Sequence, residues 1–196
     1  MPARGAYRKG VEKREEILSL ALDVVAREGY RGTTVRDLAD AVGLSQAGLL
    51  HYFDSKDELL TAVLRRRDEL DAESERDLTG ADVLVHALRR NATVPGLVTL
   101  YAQLSVEAAD ADHPAHGYFR DRFTQLRAWI AEVVRTGQEA GTIASTLDPD
   151  KAATIALALA DGLQVQWLYN RDLDMAEHVE HLWQTVLASA GTGGPA

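Results

Sequence analysis

Apolar residues recur along this chain at helical spacing and never at strand spacing. Ile17, Leu18, Ala21, Val24 and Val25 fall at offsets of 0, 1, 4, 7 and 8, which is one face of a helix, and Gly29 follows where that helix should close. Val35, Leu38, Ala39 and Val42 repeat the stripe up to Gly43. Thr34-Val35-Arg36-Asp37 reads as a capping box at its start, and Ser45 suits the cap of a short third helix. A second box, Ser55-Lys56-Asp57-Glu58, opens a long helix carrying Leu59, Leu60, Val63, Leu64 and Leu70.

Further on, Pro95 and Pro114 sit where a first helical turn accepts proline. Phe119, Phe123, Leu126, Ile130 and Val133 trace a long stripe that ends near Gly141. Asp148-Pro149 starts an Ala- and Leu-rich helix reaching about Tyr169, and Asp174 caps a last one through Val179, Leu182, Trp183, Val186 and Leu187. There is no internal repeat. The pattern predicts an all-α fold of about nine helices, with a disordered tail at 191–196.

The stretch 34–53 is the most informative. It holds two short helices joined by Val42-Gly43-Leu44-Ser45. Ala39 is small where the pair must approach, Gly43 permits the positive φ of a tight turn, and Leu38, Val42, Leu44 and Leu49 supply the buried side. Ser45, Gln46, Ala47, Gly48, Leu50 and His51 are left for the outer face. Such a pair serves either as a plain helical hairpin or as a helix-turn-helix whose second helix enters the major groove of DNA. Ser45 to Phe53 contains no acidic residue, as a phosphate-facing surface requires.

Charge modifies this picture. The net charge of −9 argues against nucleic-acid binding, but it is unevenly spread. Residues 1–67 carry 12 Lys/Arg against 10 Asp/Glu, a net +2, while residues 68–196 carry 9 against 20, a net −11. There is no cysteine, which excludes disulfides and thiolate metal sites and fits a reducing, cytoplasmic setting. Met1 to Gly10 is basic without an apolar core and does not read as a signal peptide. The longest apolar run, 152–160, is too short to span a bilayer, so no membrane partner is expected.

Three blocks carry a family resemblance: 33–39 (Thr-Thr-Val-Arg-Asp-Leu-Ala), 42–45 (Val-Gly-Leu-Ser) and 51–59 (His-Tyr-Phe-Asp-Ser-Lys-Asp-Glu-Leu). Over residues 12–65 the chain closely resembles the tetracycline-repressor (TetR) family of transcriptional regulators. The resemblance implies a DNA-binding head over 1–55, a connecting fourth helix over 56–75, and an effector-binding and dimerising body over 76–190. It implies a ligand-responsive repressor that binds a near-palindromic double-stranded operator as a dimer and is released by a small molecule. It also implies that the chain is not an enzyme and needs no cofactor. On matching positions, Thr34 and Arg36 would lie near the phosphate backbone, and Ser45, Gln46, Ala47 and Gly48 at the base edges. Gln pairs bidentately with adenine, and Ala touches the thymine methyl. His51 and Tyr52 would contact phosphates or bases, with Tyr52 partly in the core, and Lys56 would meet a phosphate at a helix N-terminus. Leu50 departs from the tyrosine often found there, which removes one phosphate hydrogen bond.

Helices 149–169 and 174–190 are apolar on more than one face, which suits a homodimer interface, with a central helix in a monomeric core as the alternative; a charge at Leu163 should dissociate the dimer if that side faces the partner. Tyr101, Leu104, Phe119, Phe123, Trp129 and Gln164 are candidates for a pocket taking a partly apolar effector, with plain core packing as the alternative for each. Arg4, Arg8 and Lys9 read as a solvated tail or a DNA-reaching arm, and Arg65-Arg66-Arg67 as a solvated helix face. Two clusters, Asp110/Asp112/His113/His116 and Glu177/His178/Glu180/His181, have ligand-like composition; a polar loop and a solvated helix face are the plainer readings, and no metal site is expected. The alternative functions are a metal-dependent hydrolase using those clusters and a helical protein–protein adaptor.

Overall fold

The computed structural model describes residues 4–188, so the expected tail over 191–196 and the side chain of Arg4 lie outside the described residues. Nine helices and no strand occur among the described residues: α1 (Arg4–Gly32), α2 (Val35–Ala41), α3 (Gln46–Leu50), α4 (Lys56–Ser74), α5 (Ala81–Asn91), α6 (Pro95–Glu107), α7 (His116–Glu139), α8 (Pro149–Tyr169) and α9 (Met175–Ala188). The capping signals act as their sequence suggests. Thr34 and Asp37 exchange side-chain and backbone hydrogen bonds. Asp148 accepts from the N–H groups of Asp150 and Lys151, and Asp174 accepts from that of Glu177. The second box differs in detail. Ser55 Oγ accepts from the Glu58 N–H as expected, but the Glu58 carboxylate reaches one residue further back, to the Asp54 N–H. The N-terminal arm differs more, because Arg8 and Lys9 lie on α1 itself, with Arg8 paired to Glu12 at 3.3 Å.

The chain forms two compact units. Of the described residues, the first comprises 4–73 and 94–118, and the second 74–93 and 119–188. In the first unit α6 packs along α1. The approach is close enough that a Cβ on Gly96 would fall onto the Val25 carbonyl oxygen and lie 2.6 Å from that of Ala26. Only glycine lets the two backbones come this near. At the other end of α6, the Tyr30 hydroxyl donates to Glu107 Oε2 at 2.7 Å. Burial first, then this hydrogen bond and the neighbouring carboxylate charges of Glu107 and Asp57, push the Tyr30 phenol up to about 12.

Arg67 corrects the expectation of a solvated arginine run on α4. It is buried, and its Nε donates to both carboxylate oxygens of Asp71 at 3.0 and 2.9 Å. Arg65 lies 5.0 Å from the centroid of the Tyr118 ring, and Arg66 pairs with Glu69 at 3.0 Å.

In the second unit α9 packs against α5 and α8. Ala153, Leu157, Ala160, Leu163, Gln164 and Trp167 form the buried side of α8. Leu163 is 3% exposed and points into its own unit, so a charge there would break the fold before it tested an interface. Ile155, Ala158, Gly162, Val165 and Tyr169 follow each other at steps of 3, 4, 3 and 4 on the opposite side. Ile155, Val165 and Tyr169 are exposed at 62%, 45% and 90%.

Two predictions follow from the packing of the first unit. Alanine in place of glycine inside a helix ordinarily stabilises by roughly 0.5–1 kcal/mol. Gly96→Ala should do the reverse, destabilising by roughly 1–3 kcal/mol through overpacking against α1, as read by denaturant unfolding. In an ultraviolet absorbance titration, the Tyr30 phenol should ionise only toward pH 12, and Glu107→Gln should lower that value part of the way, because burial and the Asp57 charge remain. Because the folded-state value lies above the unfolded one, the stability linked to Tyr30 is complete below about pH 10 and drains away as pH rises through the folded value.

Candidate nucleic-acid interface and effector cavity

The turn between α2 and α3 is built by backbone bonds that the sequence makes possible. Gly43 adopts φ +67°. The Leu44 N–H then reaches the Ala39 carbonyl at 2.9 Å, and the Gly43 N–H reaches that of Asp40 at 3.2 Å. This is the glycine-terminated helix end that satisfies the last carbonyls of α2 while reversing the chain. Ser45 then starts α3, its Oγ accepting from the Gly48 N–H at 3.0 Å.

Leu38, Ala39, Val42 and Leu49 are buried, as the helix pairing requires, and Leu44 is half-buried. Phe53, just beyond α3, is fully buried, with the Arg14 guanidinium 4.6 Å from its ring centroid. The sequence reading missed Arg14, whose cation rests against an aromatic face from a helix 39 positions away in sequence.

The outer face is as the acid-free stretch suggests: Ser45, Gln46, Ala47, Leu50 and His51 are exposed, and Gly48 and Tyr52 are half-buried. A Cβ on Gly48 would lie 3.2 Å from Ser45 Oγ, so this glycine also protects the cap. His51 and Tyr52 meet edge-on with ring centroids 5.7 Å apart. Thr34 is exposed, but its hydroxyl is engaged with Asp37, donating to Oδ2 at 2.5 Å and accepting from the N–H at 3.2 Å. Arg36 is exposed, 3.8 Å from the Asp40 carboxylate. Lys56 is more constrained than expected. Its Nζ donates to the Tyr30 carbonyl at 3.4 Å and lies 5.0 Å from the centroid of the Tyr30 ring. The ammonium is thus held beside the N-terminus of α4 by the same tyrosine that reaches Glu107.

The second unit carries a cavity open to solvent, about 410 Å³ of empty space when that open solvent is counted. Gly80 and Leu84 line it from the α5 end, and Trp129, Ile130 and Val133 from α7. Ala156 and Leu159 close it from α8, and Val179, Leu182 and Trp183 from α9. Of the expected pocket residues, Trp129 lines this cavity and the other five do not. Tyr101 and Leu104 belong to α6 in the first unit, Leu104 being fully buried. Phe119 and Phe123 pack on each other with centroids 6.1 Å apart. Gln164 is buried, accepting from Asn91 Nδ2 at 2.9 Å.

The two ligand-like clusters are engaged locally. His113 Nδ1 accepts from the Ala115 N–H at 3.1 Å, which leaves its Nε2 to carry the proton, 3.8 Å from Asp57. His116 Nδ1 bonds the Ala108 carbonyl at 2.9 Å, and His178 Nδ1 that of Asp174 at 2.7 Å. On α9, Glu180 pairs with Arg89 at 2.5 Å. Among the described residues no group of three or more such side chains is placed to hold a metal ion.

Comparison with known proteins agrees with this geometry. Residues 17–63 match the model of bacterial regulatory proteins of the tetR family, and residues 106–191 that of the BetI-type transcriptional repressor C-terminal region. The chain is 34% identical over 159 residues to the HTH-type transcriptional repressor KstR2 of Rhodococcus jostii, covering 71% of this chain and 72% of that one. It is 44% identical over 54 residues to the HTH-type transcriptional regulator RutR of Escherichia coli, covering 28% and 26%. A transcriptional regulator from Saccharomonospora viridis, solved in complex with choline, superimposes with a TM-score of 0.72 at 27% identity, over 89% of this chain and 96% of that one. KstR2 of Mycobacterium tuberculosis shares the fold, with a TM-score of 0.61 at 24% identity, over 90% of this chain and 93% of that one. Regulators of this kind are DNA-binding proteins without catalytic activity, which sets aside the hydrolase and adaptor alternatives. The chain belongs to the TetR family and is a helix-turn-helix transcriptional repressor.

Proposed function

We propose that this repressor binds a near-palindromic operator in the cytoplasm as a homodimer and is released when a small molecule enters the body. In this reading residues 1–55 hold the DNA, 56–75 form the connecting helix, and 76–190 take the effector and make the dimer. The observation that carries it is the exposed, acid-free face of α3, held by a capped turn. Gln46 and Ala47 stand where base edges would be read, with Ser45 and Gly48 at the start of the same helix. Arg36, His51, Tyr52 and Lys56 flank it as phosphate contacts, and Thr34 serves chiefly by fixing the start of α2.

Dimerisation is supported by the stripe Ile155, Ala158, Gly162, Val165 and Tyr169, an apolar face on α8 directly opposite its buried side. Pairing through α8 and α9 about a two-fold axis covers it. The two recognition helices must then stand about 34–36 Å apart to reach successive major grooves. Effector control is supported by the cavity among α5, α7, α8 and α9, and by the choline found with the similar Saccharomonospora regulator. By linkage, an effector that lowers operator affinity by roughly 5–150-fold is itself bound more weakly, by the same factor, to the operator complex.

Lys56→Ala should weaken binding to all duplexes alike and reduce the salt-dependence slope by about one unit. Gln46→Ala should instead relax base preference, costing about 1–3 kcal/mol on the preferred operator. Titrating both variants against a set of operator point mutants checks this: identical profiles would end the division between phosphate and base contacts. In sedimentation, the parent should run at about twice the 21.4 kDa chain mass at micromolar concentration. Val165→Glu should shift it to monomer with its helical content retained, whereas Leu163→Glu should lose the fold.

A further inference from the structure

We infer that the cavity among α5, α7, α8 and α9 takes an uncharged, predominantly hydrocarbon ligand carrying at most one or two hydrogen-bond acceptors. This rests on the reading of that cavity as the effector site. The lining decides the class. Leu84, Val133, Ala156 and Leu159 offer hydrocarbon alone, and the only side-chain hydrogen-bonding groups among all the lining residues are the indole N–H groups of Trp129 and Trp183. Both are donors and neither accepts, and the surface they turn toward the cavity is almost wholly apolar, so a ligand finds no side-chain partner for a donor.

No lining side chain is charged. An ionised ligand would lose its hydration without gaining a counter-ion. Glu180, on the helix that supplies Val179, Leu182 and Trp183, is engaged by Arg89. Two indoles would give a quaternary ammonium some cation–π attraction. The rest of the wall is aliphatic or glycine, and it cannot replace the water such a cation surrenders. A carboxylate fares worse, since it meets the same aliphatic wall without even that attraction.

The full-length protein, free of DNA, is titrated by calorimetry with four probes: progesterone and dodecan-1-ol as neutral hydrophobes, decanoate as an anion of similar chain, and choline as a quaternary cation. At least one neutral probe should bind about tenfold or more tightly than decanoate and choline. Ala156→Phe fills the cavity from α8 and should weaken that binding by about tenfold or more, while the melting temperature stays near the parent's. Leu159→Phe, filling from the same helix, replaces it if Ala156→Phe does not fold. Tighter binding of choline or decanoate, no binding of either neutral probe, or unchanged binding in the filled variant overturns the inference. A neutral probe that binds, is expelled by Ala156→Phe and leaves operator affinity unchanged supports the ligand class and overturns only the effector reading.

Discussion

A helix of five residues cannot sustain itself in water, where even favourable sequences need about 12–15 residues to be marginally helical. The recognition helix α3 is of that length, and it depends wholly on what surrounds it. The left-handed glycine at position 43 turns the chain, Ser45 satisfies an orphan N–H, and Leu49 and Phe53 sink into the head. Each such cap contributes on the order of 1 kcal/mol. Burying Phe53 and Leu49 adds about 1.5–3 kcal/mol each. The exposed face of α3 is therefore free to carry residues chosen for DNA rather than for folding.

The same economy extends through the first unit. Gly96 brings α6 against the carbonyls of α1, and Glu107 at the far end of α6 holds Tyr30, whose ring and carbonyl hold Lys56. A proposed phosphate contact is thus oriented by a helix some fifty residues downstream. Burying or half-burying these polar groups is tolerable because each has a partner; the buried Arg67 likewise shares both oxygens of Asp71. An arginine whose charge is matched this way adds little to the field around the head.

In the second unit, one helix serves three purposes with three faces. The buried side of α8 builds the unit's interior, the side bearing Ala156 and Leu159 borders the cavity, and the Ile155–Tyr169 stripe is left outward. A ligand against the second face and a partner against the third would touch the same rigid element, about 32 Å long at 1.5 Å per residue. In the proposed reading, that shared helix would give an effector a direct physical route to the dimer geometry that two-site DNA binding requires.

The sequence alone determined what local chemistry dictates. The helix starts at Thr34, Ser45, Asp148 and Asp174 were legible because a cap bonds N–H groups two or three residues away. The turn at Gly43 and the acid-free face of α3 were legible for the same reason, and with them the helix-turn-helix and the family. What tertiary structure decided is which of several apolar faces points where. In α8, Ala and Leu occur on nearly every side, so periodicity loses its phase, and Leu163 could not be told from Val165 until packing placed one inside and the other outside. Tyr30 and Glu107 are 77 positions apart, and neither carries a local signal of the other. The cavity was invisible for the same reason: it is a gap between four helices, and its position depends on how closely their side chains fill the space, a property of no single stretch of chain.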